Sequence, residues 1–215
     1  PRTETAADGE ARGGRRAFEV QSDALMPIEK DLYRRDFTFN SMCLVVDYDF
    51  AAGNAHRPPA VISFIDLFSG LTDCLDKKLI RTTNEPAITF GDDLSRIFRA
   101  VRFSCRFGFD IDEAAWKAIG ALTRNINKKN DNGNYILKRE TLSAELIKSF
   151  CLDPLKAFDL LMRPLPSENA SAGNSPSSTG ALCLLEIVFP HLFNEIRFSG
   201  SDKSYIASKH RQWYE

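Results

Sequence analysis

Apolar residues recur at helical spacing through Leu94, Ile97, Phe98, Val101 and Cys105, so residues 91–103 and the turn beyond them predict a core helix. Glu85-Pro86 opens this helical stretch and Gly108 punctuates it. Residues 113–126 predict a second helix. A polar turn at 128–134 follows, and residues 139–150 then set Leu142, Leu146, Ile147 and Phe150 on one face of a third. Residues 154–162 and 181–188 predict two more. The earlier part of the chain reads differently. Residues 17–20 alternate as a strand does, and 42–46 and 61–65 are apolar, β-branched runs that predict further strands. Residues 31–40, between them, hold a helical turn, and 54–59 is a loop. The pattern is that of an α+β chain, with strands first and helices after. It divides into 1–82, a strand-bearing part; 83–150, helical; and 151–215, helical around a Ser/Asn-rich stretch at 167–180 that predicts a disordered surface loop.

The 215 residues, 43% hydrophobic and 27% charged, suffice for a sizeable core in one or two domains. The net charge of −1 carries no bulk electrostatic signature of a nucleic-acid binder, so any such affinity rests on local arrangement. Candidate patches are the arginines from Arg12 to Arg16, the row from Arg96 to Arg106, and Lys128-Lys129, each of which also reads as a solvated face. Cys43, Cys74, Cys105, Cys151 and Cys183 are scattered, without zinc or disulfide spacing, and read as reduced core thiols of an intracellular protein. His56, His191 and His210 lie far apart, which argues against a histidine metal site. No apolar run reaches transmembrane length and no signal peptide is visible, so no membrane partner is expected. Pro1 stands where Met would start a chain, and truncation is the expectation.

Within the core-helix segment, Asp93 and Arg96 stand at i and i+3 and are expected to project side by side. A carboxylate acceptor beside a guanidinium donor suits cytosine and adenine, which pair an exocyclic amino donor with a ring-nitrogen acceptor. Uracil and guanine present the reverse order, and each mispaired polar group in a desolvated site costs about 1–3 kcal/mol. The alternative is a helix-surface ion pair worth less than about 0.5 kcal/mol. Two Asp-x-Asp triplets occur. Asp47-Tyr48-Asp49 reads as turn chemistry, and Asp112 of the second reads as a helix N-cap.

Four segments in one order, the core-helix segment among them, raise the base-reading alternative. Residues Arg34-Arg35-Asp36-Phe37-Thr38-Phe39-Asn40-Ser41 resemble the Arg-Arg-Asp-Phe-Thr-Ile-Asn-Ala signature of the class II tRNA nucleotidyltransferase/poly(A) polymerase family, which includes the CCA-adding enzymes. Asp66 to Asp73 resembles its Asp-Pro-x-x-Gly-x-x-Asp segment. Lys78-Leu79-Ile80-Arg81-Thr82 resembles its Lys-x-Ile-Arg-Thr, and Asp92-Asp93-Leu94-Ser95-Arg96 its Glu-Asp-x-x-Arg. Arg99-Ala100-Val101-Arg102-Phe103 and Arg106-Phe107-Gly108-Phe109 continue that last match. The likeness covers residues 28–112 closely. Residues 136–196 match only in pattern.

The resemblance implies the C-terminal half of a nucleotidyltransferase palm-like mixed sheet, followed by an all-helical neck and body. It implies addition of C and A to the tRNA 3′ end, with side chains reading the incoming CTP or ATP. Poly(A) addition, or a non-catalytic nucleotide- or RNA-binding module, is the alternative. Asp93 and Arg96 would read the base. Asp92 stands in place of the family's Glu, with a shorter reach. Arg99 would bind triphosphate or orient the base. Arg35 and Asp36 would select ribose, the guanidinium holding the carboxylate toward the 2′-hydroxyl, and Arg34 would contact phosphate; a structural buried ion pair is the other reading. Gly70, suited to a positive φ, and Asp73 would form a flexible joint between head and neck, or a plain turn. Phe37 and Phe39 read as core. The family's chemistry uses Mg²⁺ held by an Asp-x-Asp pair that has no match before Asp31. The resemblance therefore implies a fragment that lacks its metal ligands and its catalytic residues and is inactive alone. Such an enzyme would work in the cytoplasm or the mitochondrion.

Overall fold

The computed structural model describes residues 2–6, 18–22, 26–47, 60–166 and 183–190. Strands β1 (Arg2–Ala6) and β2 (Phe18–Ser22) pair antiparallel, as do β3 (Met42–Asp47) and β4 (Ala60–Asp66), whose register sets Leu44 opposite Phe64. Between the two pairs lie helix α1 (Ile28–Tyr33) and the 3₁₀ turn Thr38–Asn40. A short helix α2 (Gly70–Thr72) runs into a π-turn over Asp73–Lys77. Then β5 (Leu79–Ile80) pairs in parallel with β6 (Asp110–Ile111). The described strands thus pair two by two, ahead of a helical remainder: α3 (Pro86–Asp92), α4 (Ser95–Phe107), α5 (Glu113–Leu122), α6 (Arg139–Leu152), α7 (Pro154–Met162) and α8 (Leu184–Val188). Among the described residues no helix is long and apolar enough to cross a membrane. The loops at 54–59 and 167–180, the arginines from Arg12 to Arg16, Tyr48, Asp49 and all three histidines fall outside the described residues.

Helix α4 is the centre of the core. Ile97, Phe98, Ala100 and Val101 are fully buried and pack it against α6 and α7. Phe37 and Ile80, from the strand-bearing part, join the same core as Phe90, Ile119, Leu161 and Leu184. Truncating one such phenylalanine to alanine costs about 3–5 kcal/mol. Gly108 ends α4 at φ +70°, in the left-handed region where glycine has no Cβ to clash. Asp112 caps α5, accepting from the backbone N–H groups of Ala114 and Ala115, as expected.

Three local expectations need correction. The helix expected over 91–103 is broken: α3 stops at Asp92, Asp93 is extended, and α4 starts at Ser95. The cause is local competition, because Asp93 Oδ1 accepts from Ser95 N at 2.8 Å and its carboxylate takes the place of a helical carbonyl. On α6, Leu142 and Leu146 are buried but Ile147 is 63% exposed and Phe150 is also exposed. The inward face holds Glu145 and Ser149 instead, because Glu145 Oε2 accepts from Arg102 Nε of α4 at 2.5 Å. Cys151 is exposed, whereas Cys105 and Cys183 are buried, with burial pushing the Cys105 thiol up to about 11.

The link from strands to helices is fastened at Asp66, Gly70 and Asp73. Asp66 accepts from the backbone N–H groups of Gly70 at 2.7 Å and Leu71 at 2.9 Å. Asp73 is fully buried; it accepts from Thr38 Oγ1 and Arg81 Nε, both at 2.8 Å, and from Lys77 Nζ at 3.4 Å. Arg81 Nη2 also donates to the Phe68 carbonyl. The positive φ expected at Gly70 falls at Ser69, at 59°. Gly70 is required for a different reason: a Cβ there would sit 2.4 Å from the Thr38 carbonyl oxygen.

Gly70→Ala is therefore expected to lower the melting temperature, with a cost of about 1–3 kcal/mol for overpacking against backbone. Gly91→Ala, where nothing lies within 4 Å, should leave it unchanged or raise it. Equal melting temperatures for Gly70→Ala and the parent would refute the close approach. A second expectation concerns acid. Burial raises the Glu145 carboxyl pKa, but the Arg102 and Lys148 bonds outweigh it and hold the group below its ordinary value of 4.5. Because the folded pKa is the lower one, the stabilisation is full above about pH 4.5 and is lost as pH falls below it. Denaturant titrations between pH 3 and 6 should show an acid limb that flattens in Glu145→Gln; an unaltered limb would assign it to other carboxylates.

Candidate functional site

Two ion-paired clusters lie on residues 31–40, and the second reaches the N-terminal half of α4. In the first, the buried carboxylate of Asp31 lies one turn ahead of two arginines. Its Oδ1 accepts from Arg34 Nε at 2.9 Å and Nη2 at 2.6 Å, and its Oδ2 from Arg35 Nε at 3.3 Å and Nη2 at 2.9 Å. Burial raises the Asp31 pKa, but the two guanidiniums together bring it below the usual value. Arg35 Nη1 also donates to the Asn40 carbonyl at 3.2 Å.

In the second cluster, Asp36 Oδ2 accepts from Arg99 Nε at 2.6 Å, and Oδ1 accepts from Asn40 Nδ2 at 3.1 Å. This corrects the expectation that neighbouring Arg35 holds Asp36. Arg35 sits at i+4 from Asp31 and turns back to it, leaving Asp36 to a guanidinium on α4. Backbone bonds secure the segment. Phe37 bridges to Thr82, Thr38 N donates to the Arg81 carbonyl at 2.9 Å, Thr83 Oγ1 donates to the Arg35 carbonyl, and Asn84 Nδ2 donates to the Tyr33 carbonyl at 2.7 Å. Phe37 is fully buried and stacks on Phe39 at 5.7 Å; Phe39 meets Phe103 edge-on at 5.0 Å. Phe37 is core, as expected; Phe39 is half-buried and packs against that core, while Thr38 between them is itself fully buried.

Arg96 lies one turn before Arg99 on α4 and so faces the same side as the Asp36 contact. Its Nη1 donates to the Thr89 carbonyl at 3.1 Å. Asp93 and Asp92 are exposed at the break between α3 and α4. Asp93 is not in the helix that carries Arg96, so the shared face expected from helical spacing does not apply. Nor do the two form a plain ion pair, since Asp93 bonds the Ser95 backbone and Arg96 the Thr89 backbone. The structure thus brings Asp36, Arg99, Asn40 and Arg96 to one edge of α4, with Asp93 at its start and the Asp31–Arg34–Arg35 fan beside the same segment. Gly70 and Asp73 lie in the fastened link. The sequence reading missed Asp31, Asn40 and Arg81. Asp31 carried a signal, at i+3 and i+4 from adjacent arginines, and Arg81 stood inside a matched motif.

No protein-family profile matches the chain. Curated relatives do. The CCA-adding enzyme of Leuconostoc citreum is 38% identical over 101 residues, which is 47% of this chain and 21% of that enzyme. The CCA-adding enzyme of Bacillus subtilis is 35% identical over 105 residues, 49% of this chain and 22% of the enzyme. That of Streptococcus suis is 26% identical over 180 residues, 83% of this chain and 38% of the enzyme. The chain therefore spans well under half the length of these relatives. Among solved structures, a tRNA-processing enzyme in apo form I is 28% identical and covers 63% of this chain and 32% of its own, with a TM-score of 0.49. The Bacillus stearothermophilus CCA-adding enzyme in complex with CTP is 27% identical, covers 64% and 29%, and has a TM-score of 0.48. Over about half of its length the chain is thus similar in sequence to proteins that share one name, CCA-adding enzyme.

Proposed function

We propose that this chain is the nucleotide-reading part of an enzyme that adds C and A to the 3′ end of tRNA, taking CTP and ATP. The observation that carries the reading is the 2.6 Å contact between Asp36 and Arg99, which makes one site of the Arg-Arg-Asp segment and the helix bearing Arg96. The name shared by the curated relatives supports the reaction. In this reading Asp93 accepts from the exocyclic amino group of cytosine or adenine, and Arg96 leaves the Thr89 carbonyl to donate to the adjoining ring nitrogen. Asp92, one position earlier, adds negative charge at the base. Asp36 accepts from the ribose 2′-hydroxyl. Arg34 and Arg35, fanned on Asp31, face the phosphates. Closing at Gly70 and Asp73 would require the Asp73 bonds to stretch or exchange.

Enzymes of this group use Mg²⁺ to bind triphosphate and activate the primer hydroxyl. The described residues do not fit such an ion. They hold no group of three or more His, Cys, Asp or Glu side chains that gathers as ligands. Asp31, Asp36 and Asp73 are engaged with arginines, and Asp66 and Asp112 with helix N-termini. No step here is routed through the metal.

The test is nucleotide incorporation by the full-length protein on tRNA lacking its terminal CCA. Arg96→Ala is expected to lower kcat/KM for both CTP and ATP by about tenfold to a hundredfold, the worth of a hydrogen bond to a charged group, in a protein that still folds by circular dichroism. Equal turnover by parent and variant would overturn the base-reading role. Use of ATP alone by the parent would replace CCA addition with poly(A) addition.

A further inference from the structure

The chain carries 28 basic and 29 acidic residues, but its charge is uneven. Between α5 and the start of α6, residues 124–139 hold five basic side chains, Arg124, Lys128, Lys129, Lys138 and Arg139, and one acidic, Asp131. Arg34, Arg81, Arg99 and Arg102 are committed to carboxylates; among the described residues none of these five is. Arg139 is half-buried and the other four are exposed. The segment closes as a small hairpin. Ile136 N donates to the Lys128 carbonyl at 2.9 Å, Asn130 N to the Asn134 carbonyl at 2.8 Å, and Asn134 N to Asn130 Oδ1 at 2.9 Å, with Gly133 turning the chain at φ +77°. The closure sets Tyr135 between two cations, with Lys129 Nζ 4.9 Å and Arg139 Cζ 3.8 Å from its ring centre. Arg139 Nη2 also donates to Asn127 Oδ1 at 2.6 Å, and Asn127 Nδ2 to the Ile187 carbonyl of α8 at 2.7 Å. The basic patch is therefore fastened to the helices as well as closed on itself.

We propose that this hairpin and the first turn of α6 form a surface that grips the phosphate backbone of RNA, on residues other than those of the nucleotide-reading edge of α4. Gathering cations without acids is unfavourable unless an anion completes the arrangement. A cation on an exposed ring gains about 0.5–1 kcal/mol, which places Lys129 and Arg139 at Tyr135 but neutralises neither. Each lysine offers three donors, and Arg139 keeps donors beyond the one given to Asn127. The tip, Asp131 to Asn134, is polar throughout, which suits a hydrated sugar–phosphate edge and not a lipid surface. Contacts of this kind hold an RNA in register without reading its bases. The choice of RNA as the polyanion rests on the function proposed above.

The experiment measures binding of the full-length protein to tRNA lacking its terminal CCA, by fluorescence anisotropy over a series of salt concentrations. The double variant Lys128→Gln with Lys129→Gln is expected to bind about tenfold to a hundredfold more weakly at about 0.1 M salt. Its plot of log affinity against log salt should flatten by roughly 1.4–1.8, the share of two phosphate contacts. Lys128→Arg with Lys129→Arg keeps the charge and should keep the parent's affinity and slope. Circular dichroism monitors folding, and Lys138→Gln, expected to flatten the plot by about half as much, serves if the double variant is unstable. A folded glutamine variant with the parent's affinity and slope overturns the surface. So does weaker binding with an unchanged slope, which a structural loss would produce. Incorporation of C and A by a parent whose glutamine variant binds equally well sinks the surface alone. A parent that incorporates neither nucleotide, while its glutamine variant loses RNA with a flattened slope, sinks the proposed function and keeps the surface.

Discussion

A single ion pair, Asp36 with Arg99, joins segments sixty-three positions apart, and the architecture around α4 is arranged so that it forms. Closing a loop of that length costs chain entropy that no ion pair at the edge of solvent repays alone. The ordering comes from the core: Phe37 and Ile80 enter the cluster built on Ile97, Phe98 and Val101, and the Phe39–Phe103 contact seats the Arg-Arg-Asp segment on the helix. The pair then sets fine geometry inside a frame fixed by apolar burial.

The same device recurs through the molecule. Asp31 collects Arg34 and Arg35, Asp73 collects Arg81 and Lys77, and Glu145 collects Arg102 and Lys148. Each buried acid is covered by cationic donors, which is the condition for keeping a carboxylate inside a protein. On the arginine-rich α4, Arg99 and Arg102 are committed to internal carboxylates. Part of the positive charge along this helix is thus spent on internal partners, which leaves a local cationic edge there. A site of that kind selects by arrangement of donors and acceptors, as a reader of base edges and sugar hydroxyls must.

Strand runs, the helices after residue 83, the left-handed stop at Gly108 and the cap at Asp112 were legible in the chain, because each depends on periodicity or on turn chemistry within a few residues. The motif-bearing segments were legible too, and so was the place of Phe37 in the core, which half-buried Phe39 packs against. Tertiary structure decided the rest. It chose Arg99 over Arg35 as partner of Asp36, turned Glu145 rather than Ile147 inward on α6, and made Gly70 necessary through the Thr38 carbonyl rather than through its own φ. It also ended a helix at Asp92 where the apolar spacing runs on. The physical reason is common to all four. Side-chain spacing records which face a residue occupies, whereas the partner of a charge or a close backbone approach is set by what another part of the chain brings within about 3 Å.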